Sequence, residues 1–324
     1  MKSIKFIFIL LLLILFGCSK NKVKISGSFV EFSTVVNISI YDIDESSEQE
    51  VKDIFSSVRS IFAEFDTLYN PTKFYSKLYK FNNLETGKFH KIPNEFNSII
   101  ESSLNINRLT LGAFDPAIES VSNLWKFNAD SVPTLPELDQ LNYVVSRSGL
   151  KNIEFKEDSL KFLYSYSKFG FGGIAKGLAV DSAASFLENS GYNSYIIDAG
   201  GDLTISRGAL RTIGLRDPRN RGVISDTLKL SGVSIATSGD YEKFFIDEGK
   251  RYCHILNPLT GMSDSDLISV SVVSEKAYFS DALATAIFVM GYDIGKKFIK
   301  DNSIKAIIMF EDDNKVKKEY FGFD

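Results

Sequence analysis

The first eighteen residues set the terms for the rest of the chain. Lys2 and Lys5 precede eleven uninterrupted apolar residues, Phe6 to Phe16, which run into Gly17 and Cys18. A helix that crosses a membrane needs roughly twenty apolar residues. This run is too short for a permanent span, and its order of basic, apolar and small residues is that of an export signal over residues 1–17. The fold must therefore be built from the residues beyond Cys18. Cutting before Cys18 removes two lysines from the 37 Lys plus Arg and nothing from the 41 Asp plus Glu, which moves the net charge from −4 to −6. A chain that acidic is a poor partner for nucleic acid. Cys253 is the only other cysteine, so an oxidising compartment would permit a disulfide that the chain cannot form within itself. Stability has to come from a packed core, and 324 residues suit one large domain or two interleaved subdomains.

Residues 18–27 are mostly polar and small and read as a tether, with the folded region over 28–324. Val36, Ile38 and Ile40 alternate with Asn37, Ser39 and Tyr41, the period of a half-buried strand. Ser47 and Glu50 form a capping box ahead of Val51, Ile54, Phe55, Val58, Ile61, Phe62 and Phe65, whose spacing predicts an amphipathic helix. Asn94, after Pro93, is placed to cap a helix running to Leu109. Further helices are expected over Ala175–Leu187 and over Asp281–Met290, the latter closed by Gly291. Strands are expected near Tyr195–Ile197, Arg211–Leu215, Ile268–Val273 and Ile304–Phe310. Helices and strands mix without regular alternation, so the expected class is α+β.

Three segments combine a turn or a helix start with groups that do chemistry. Gly170-Phe171-Gly172-Gly173-Ile174-Ala175-Lys176-Gly177 joins a strand ending near Phe169 to a helix, and backbone at such a junction can approach a phosphate. The segment matches G-x-G-x-x-A, yet it lies outside any regular βαβ series, and Lys176 precedes its glycine with no Ser or Thr following. A plain Gly-rich turn with a solvated Lys176 is the alternative. Asp281 and Thr285 stand four residues apart on one helix face. A carboxylate and a hydroxyl together suit a hard cation such as Mg²⁺, which completes its shell with water and phosphate. Ser280 as a cap, with Asp281 complementing the helix dipole, reads the same residues without a metal. His90 and His254 are the only histidines, too few for a His-rich zinc centre. His254 lies in a segment that ends in a turn at Gly261 and can present its imidazole as a general base. Gly112 to Pro116, Gly200-Gly201-Asp202, Gly214 to Pro218 and Ala236 to Tyr241 each set a carboxylate beside a turn, and each alone is compatible with turn chemistry.

Taken in order, these segments resemble the ApbE family, the FAD:protein FMN transferases, from about Phe32 to Gly291. The shared elements are G-A-F-D-P at Gly112–Pro116, G-G-I-A-K-G at Gly172–Gly177, A-T-S-G-D-Y at Ala236–Tyr241, H-I-x-x-P-x-T-G at His254–Gly261 and D-A-L-A-T at Asp281–Thr285. The resemblance implies a single ApbE-like α+β domain of two interleaved subdomains. It implies Mg²⁺ held by the Gly173 carbonyl, Asp281 and Thr285, and FAD lined by Phe32, Ala113, Phe114, Asp115, Gly170, Lys176 and Ile255. FAD would be split, FMN passed to a Thr or Ser hydroxyl of an acceptor protein, and AMP released, with His254 or Asp240 taking the hydroxyl proton. The chain departs from the family at Gly170, where Asp is usual, at Asn70-Pro71-Thr72, where Ser-Thr-Tyr is usual, and at Phe32, where Met is common. Transfer to an acceptor is the first reading; a balance shifted toward water by these changes around the flavin, making an FAD pyrophosphatase, is the second, and a flavin-binding lipoprotein that cleaves nothing is the third.

Leu15-Phe16-Gly17-Cys18 resembles the lipobox at which bacterial lipoproteins are cleaved and acylated. The expectation is an exported chain, anchored to a bacterial membrane by a lipid on Cys18 and facing the periplasm, whose acceptors are exported or membrane redox proteins.

Overall fold

The computed structural model describes residues 22–44, 48–127, 132–220, 222–313 and 315–323. Residues 1–17, read from the sequence as an export signal, Cys18 and Ser47 of the capping box lie outside them. Among the described residues no helix is long and apolar enough to cross a membrane.

The chain opens with a long antiparallel hairpin of β1 (Lys22–Glu31) and β2 (Thr34–Asp44). Residues 22–27, read from the sequence as tether, are the first half of β1. Val23, Ile25 and Phe29 turn inward at every second position and pack on the core, while the lysines and serines between them face out. After the hairpin come α1 (Glu48–Tyr69), α2 (Lys77–Asn82), β3 (Phe89–Lys91), α3 (Asn94–Leu109), α4 (Glu119–Trp125), α5 (Leu138–Arg147), β4 (Ile153–Lys156) and β5 (Ser159–Phe162). Asn94 is the first residue of α3 rather than its cap; the cap position is Pro93, whose extended backbone leads into the helix without a side-chain bond. The second half holds α6 (Ala175–Asn189), β6 (Tyr195–Ala199), β7 (Asp202–Ile205), β8 (Arg211–Arg216), β9 (Ile224–Leu230), β10 (Val233–Gly239), β11 (Phe244–Asp247), β12 (Lys250–Cys253), β13 (Leu267–Ser274), α7 (Ala277–Asp301), β14 (Lys305–Asp312) and β15 (Lys315–Phe321). Gly291 breaks α7 as expected, with φ 74°, but helix resumes immediately beyond it.

Eight strands form one antiparallel sheet in the order β1-β2-β6-β7-β10-β13-β14-β15. Leu283, Ile287 and Phe288 of α7 cover one face over Val270, Val272 and Ile308. The β8–β9 ribbon covers the other, setting Ile213, Leu215, Leu228 and Leu230 against Ile268, Ile307 and Met309. A strand covered on both faces has no wet side, which is why β13 is buried almost throughout.

The segment between α1 and α6 is the second subdomain. Its core is aromatic: Phe81, Phe96, Phe162, Phe169 and Phe171 pack with Tyr69 of α1 and with Ala282 and Ala286 of α7. Each ring fully buried contributes roughly 2–3 kcal/mol, and through Tyr69, Ala282 and Ala286 the insert packs onto the helices that line the sheet rather than hanging as a loose lid. Trp125 ties it to the far side, donating from Nε1 to Gly261 O at 2.9 Å.

Candidate active site

Lys176 stands in the first turn of α6, and its setting follows from how closely α6 approaches α7. A Cβ added at Gly177 would stand 2.5 Å from Tyr278 N and 2.6 Å from Ala277 C, so only glycine lets the two helix starts touch. Asp181, one turn along α6, seals the crossing by accepting from Ala277 N and Tyr278 N, both at 3.0 Å. These are N–H groups that a helix start leaves open. Asp281 lies one turn into α7, so it does not sit at the cap, and Ser280 Oγ pairs with Ser274 Oγ at 2.8 Å.

The crossing sets Lys176 Nζ 3.5 Å from Asp281 Oδ2 and 2.6 Å from Asp202 Oδ2 at the head of β7. Asp202 is 2% exposed and Asp281 5%, so this cation lies between two carboxylates shut off from solvent. Burial pushes Asp202 up to about 7, with Asp281's charge adding to the rise and Lys176 opposing it. Burial also works against the charge on Lys176, but the two carboxylates outweigh it and hold the ammonium above its ordinary range. Asp281 Oδ2, 3.5 Å from the ammonium, is buried without a close hydrogen-bond partner. Leaving such an oxygen unsatisfied costs about 1–3 kcal/mol or more. Thr285, the next turn along, sets Oγ1 3.2 Å from Ser238 Oγ of β10. A Cβ at Gly173 would stand 3.1 Å from Thr285 Oγ1, so the 173 backbone lies against the same helix face. Among the described residues no group of three His, Cys, Asp or Glu is arranged to hold a metal. The donors that meet here are an orphaned carboxylate oxygen, a hydroxyl and a backbone segment. That oxygen set fits Mg²⁺, which takes few protein ligands and keeps its waters.

His254 approaches with a different segment. Its backbone N donates to Lys243 O at 3.0 Å, and its buried Nδ1 has no hydrogen-bond partner. Burial first, then the charges of Lys243 and Lys176, lower its proton affinity to about 4. The ring is neutral at neutral pH, with an uncommitted nitrogen beside two lysines. Lys243 is itself pushed down by burial and by Lys176. A neutral base next to clustered cations suits an anionic, phosphate-bearing substrate from whose partner a proton is removed.

Residues 32–308 match the model of the ApbE family. The chain belongs to that family. The FAD:protein FMN transferase of Vibrio cholerae serotype O1 is 25% identical over 314 residues, covering 95% of this chain and 93% of the relative. That of Haemophilus influenzae is 26% identical over 314 residues, covering 92% and 90%. The crystal structure of the ApbE protein from Thermotoga maritima superposes with a TM-score of 0.82 at 26% identity, over 92% of this chain and 97% of that one. The α+β fold is thus that of the ApbE structures over most of its length.

The remaining ApbE-motif residues divide between the cluster and its supports. Phe114 is buried against Gly173, and Asn107 Nδ2 donates to its carbonyl at 2.7 Å. Asp115 spends both oxygens on backbone, accepting from Ala117 N at 2.8 Å and from Leu150 N at 3.0 Å. Its side chain therefore holds the loop in shape, and Ala113 beside it packs half-buried on the insert core. Ile255 is buried in the core under α7. Phe32 sits at the tip of the β1–β2 hairpin and packs across onto the insert. Phe32 and Ser33 have φ of 54° and 56°, a two-residue turn normally reserved for Asn and Gly, and such strain costs on the order of 1–3 kcal/mol per residue. Asp240 is placed differently from His254. Its carboxylate is held two-pronged by Arg219, at 2.7 and 2.9 Å, with Arg251 at 3.6 Å. A cavity of about 570 Å³ on that side is lined by Arg216, Arg219, Tyr241 and Arg251, among others, and by neither Lys176 nor His254. Both oxygens of Asp240 are engaged by arginine, whereas His254 Nδ1 has no hydrogen-bond partner. Gly170 lies under the side chain of Glu119. Asp202 and Lys243 are the partners that sequence reasoning passed over. Asp202 was visible only as a carboxylate after two glycines, and Lys243 only as a residue just past the A-T-S-G-D-Y element.

Proposed function

We propose that this chain is a Mg²⁺-dependent FAD:protein FMN transferase, moving FMN from FAD to a Thr or Ser hydroxyl of an acceptor protein and releasing AMP. Family membership and the names of the relatives support the transfer. The observation that carries the chemistry is the neutral His254, its buried Nδ1 unpartnered, beside a lysine clamped by two buried carboxylates.

In this reading Lys176 and Lys243 bind the diphosphate of FAD, and Asp202 keeps the Lys176 ammonium charged and aimed. His254 accepts the proton of the acceptor hydroxyl. The hydroxyl oxygen bonds to the FMN-side phosphorus as the bridging P–O bond breaks, and AMP leaves with the bridging oxygen. Such a reaction depends on positioning and on charge stabilisation more than on covalent help from the protein. Asp281, Thr285 and the Gly173 carbonyl would hold Mg²⁺, which when bound neutralises phosphate charge. Arg219 and Arg251 fix Asp240 at the edge of the site. Export and a lipid on Cys18 belong to the same reading: they would hold the site at the membrane surface, where exported redox proteins are its acceptors.

Purified protein incubated with FAD and Mg²⁺, with and without an acceptor domain, tests the reading. AMP together with covalent flavin on the acceptor is expected. AMP formed without acceptor would mean hydrolysis, and neither product would overturn the enzyme assignment. Asp281→Ala is expected to abolish the Mg²⁺ dependence of turnover; a variant that kept it would sink the metal assignment.

A further inference from the structure

Glu119 is a buried acid that the chemistry above leaves unused. It lies where residues 116–119 run beside 168–170: Glu119 N donates to Lys168 O at 3.2 Å, Gly170 N donates to Pro116 O at 2.7 Å, and Ile118 bridges Lys168. Its side chain lies flat on Gly170. A Cβ built at position 170 would fall well inside 3.0 Å of Glu119 Oε2 and 3.2 Å from both Glu119 Cβ and Cδ. The carboxyl group therefore occupies the volume in which any side chain at 170 would begin, and an acid is present at this point although residue 170 carries none. The floor beneath it is rigid. Asn82 bonds both ways to the Phe169 backbone, Nδ2 to O at 2.8 Å and Oδ1 from N at 2.9 Å.

Glu119 is 6% exposed, and its Oε1 is buried without a partner. The setting is apolar, with Phe169 and Phe171 stacked at 5.4 Å. Burial pushes the carboxyl up to about 8 against the pull of Lys168, so at neutral pH the group is mostly an uncharged acid that can donate as well as accept. A polar oxygen left unbonded in such a place costs about 1–3 kcal/mol. That cost is borne four residues from Asp115 and, through Gly170, three from Gly173, between the two insert segments that reach the site.

We propose that Glu119 is a substrate-binding residue whose Oε1 hydrogen-bonds a polar group of the flavin dinucleotide held by segments 113–115 and 170–176. The ligand class rests on the transferase reading above; the binding role of Glu119 does not follow from it. The measurement is FAD affinity by flavin fluorescence titration in Mg²⁺ buffer without acceptor, with the melting temperature followed in parallel. Glu119→Ala is expected to weaken FAD about tenfold, the equivalent of one lost hydrogen bond. Glu119→Gln, which keeps a donor and an acceptor, is expected to stay within about threefold of wild type. Gly170→Asp alone forces two acids into one space and is expected to bind poorly and melt lower. The double variant E119G/G170D is expected to recover FAD binding to within about threefold of wild type. Recovery in the double variant decides the matter even where Glu119→Ala folds badly. Wild-type affinity in a well-folded Glu119→Ala, or an E119G/G170D protein no better than Gly170→Asp, would overturn the role of Glu119 alone. Wild-type protein that bound no FAD would overturn this role and the transferase reading together.

Discussion

Replacing Gly177 by alanine tests whether the contact between α6 and α7 is what holds the site. The added methyl would meet Tyr278 N at 2.5 Å and Ala277 C at 2.6 Å, whereas non-bonded heavy atoms in good contact sit about 3.5–4.0 Å apart. Nothing flexible lies there to give way, because the neighbours are backbone and Asp181 pins them. The helices must part by about 1 Å. Forcing a methyl into a packed contact costs about 1–3 kcal/mol, and a backbone clash belongs at the upper end. Alanine returns about 1 kcal/mol of helix propensity over glycine. The net expectation is a loss of about 2 kcal/mol, read in urea as a lower midpoint with an unchanged slope. Lys176 precedes this contact and Asp281 comes after it, so the same displacement alters their spacing. A shift of that size is expected to lower kcat/KM on the order of 10²-fold. Gly172→Ala is the stability control, since its Cβ would meet nothing within 4 Å and its midpoint is expected to stay put. A Gly177→Ala protein with wild-type midpoint and wild-type kcat/KM would refute the close crossing as the source of the geometry.

Three further outcomes are expected. Glu119's carboxyl is raised from 4.5 to about 8 in the fold, so its contribution to stability is full below pH 4.5 and is lost as pH rises toward 8. Glu119→Gln removes that dependence and should gain roughly 3 kcal/mol on wild type between pH 5 and pH 8; parallel stability curves in denaturant would contradict the burial. His254 is lowered to about 4, so no acid limb near pH 6.5 is expected in kcat/KM for the free enzyme. His254→Ala should lower kcat by about 10²–10⁴-fold, and a variant of undiminished kcat would remove His254 from the reaction. Membrane-extracted protein is expected to show, by intact mass, a chain beginning at Cys18 and carrying acyl groups, while Cys18→Ser should be released from the membrane fraction; an unprocessed N-terminus would end the anchor proposal.

Much of the architecture was legible where one face of an element is wet. The strand through Val36, Ile38 and Ile40 and the helix carrying Val51 to Phe65 show their period because polar residues mark the outer side. β1 was missed for the opposite reason: its inward Val23 and Ile25 are few, and the lysines and serines between them made the stretch look like a tether. The course of α7 beyond Gly291 was hidden because a glycine that ends one helical segment reads the same whether or not another begins. Short strands such as β3, β4 and β5 carry too few residues for any period to emerge. Their place is set by the aromatic core they help to enclose.

The site divides along the same physical line. Asp281 and Thr285 were legible because helical spacing alone puts them on one face, and Lys176 because a glycine turn delivers it to a helix start. Asp202 became a partner only when the sheet carried β7 under α6, across a separation of 26 residues from Lys176. The choice between His254 and Asp240 could not be made from their motifs, since both stand beside turns. It turns on what surrounds them: two arginines engage one carboxylate, while burial and two lysines keep the imidazole neutral with its Nδ1 uncommitted. Glu119 is the extreme case. Nothing local distinguishes it from an ordinary glutamate at a helix start. Its isolation depends on Gly170, more than fifty residues away, having no side chain. Proton affinity and hydrogen-bond need are properties of the assembled interior, so residues whose chemistry depends on them are readable only once the segments have met.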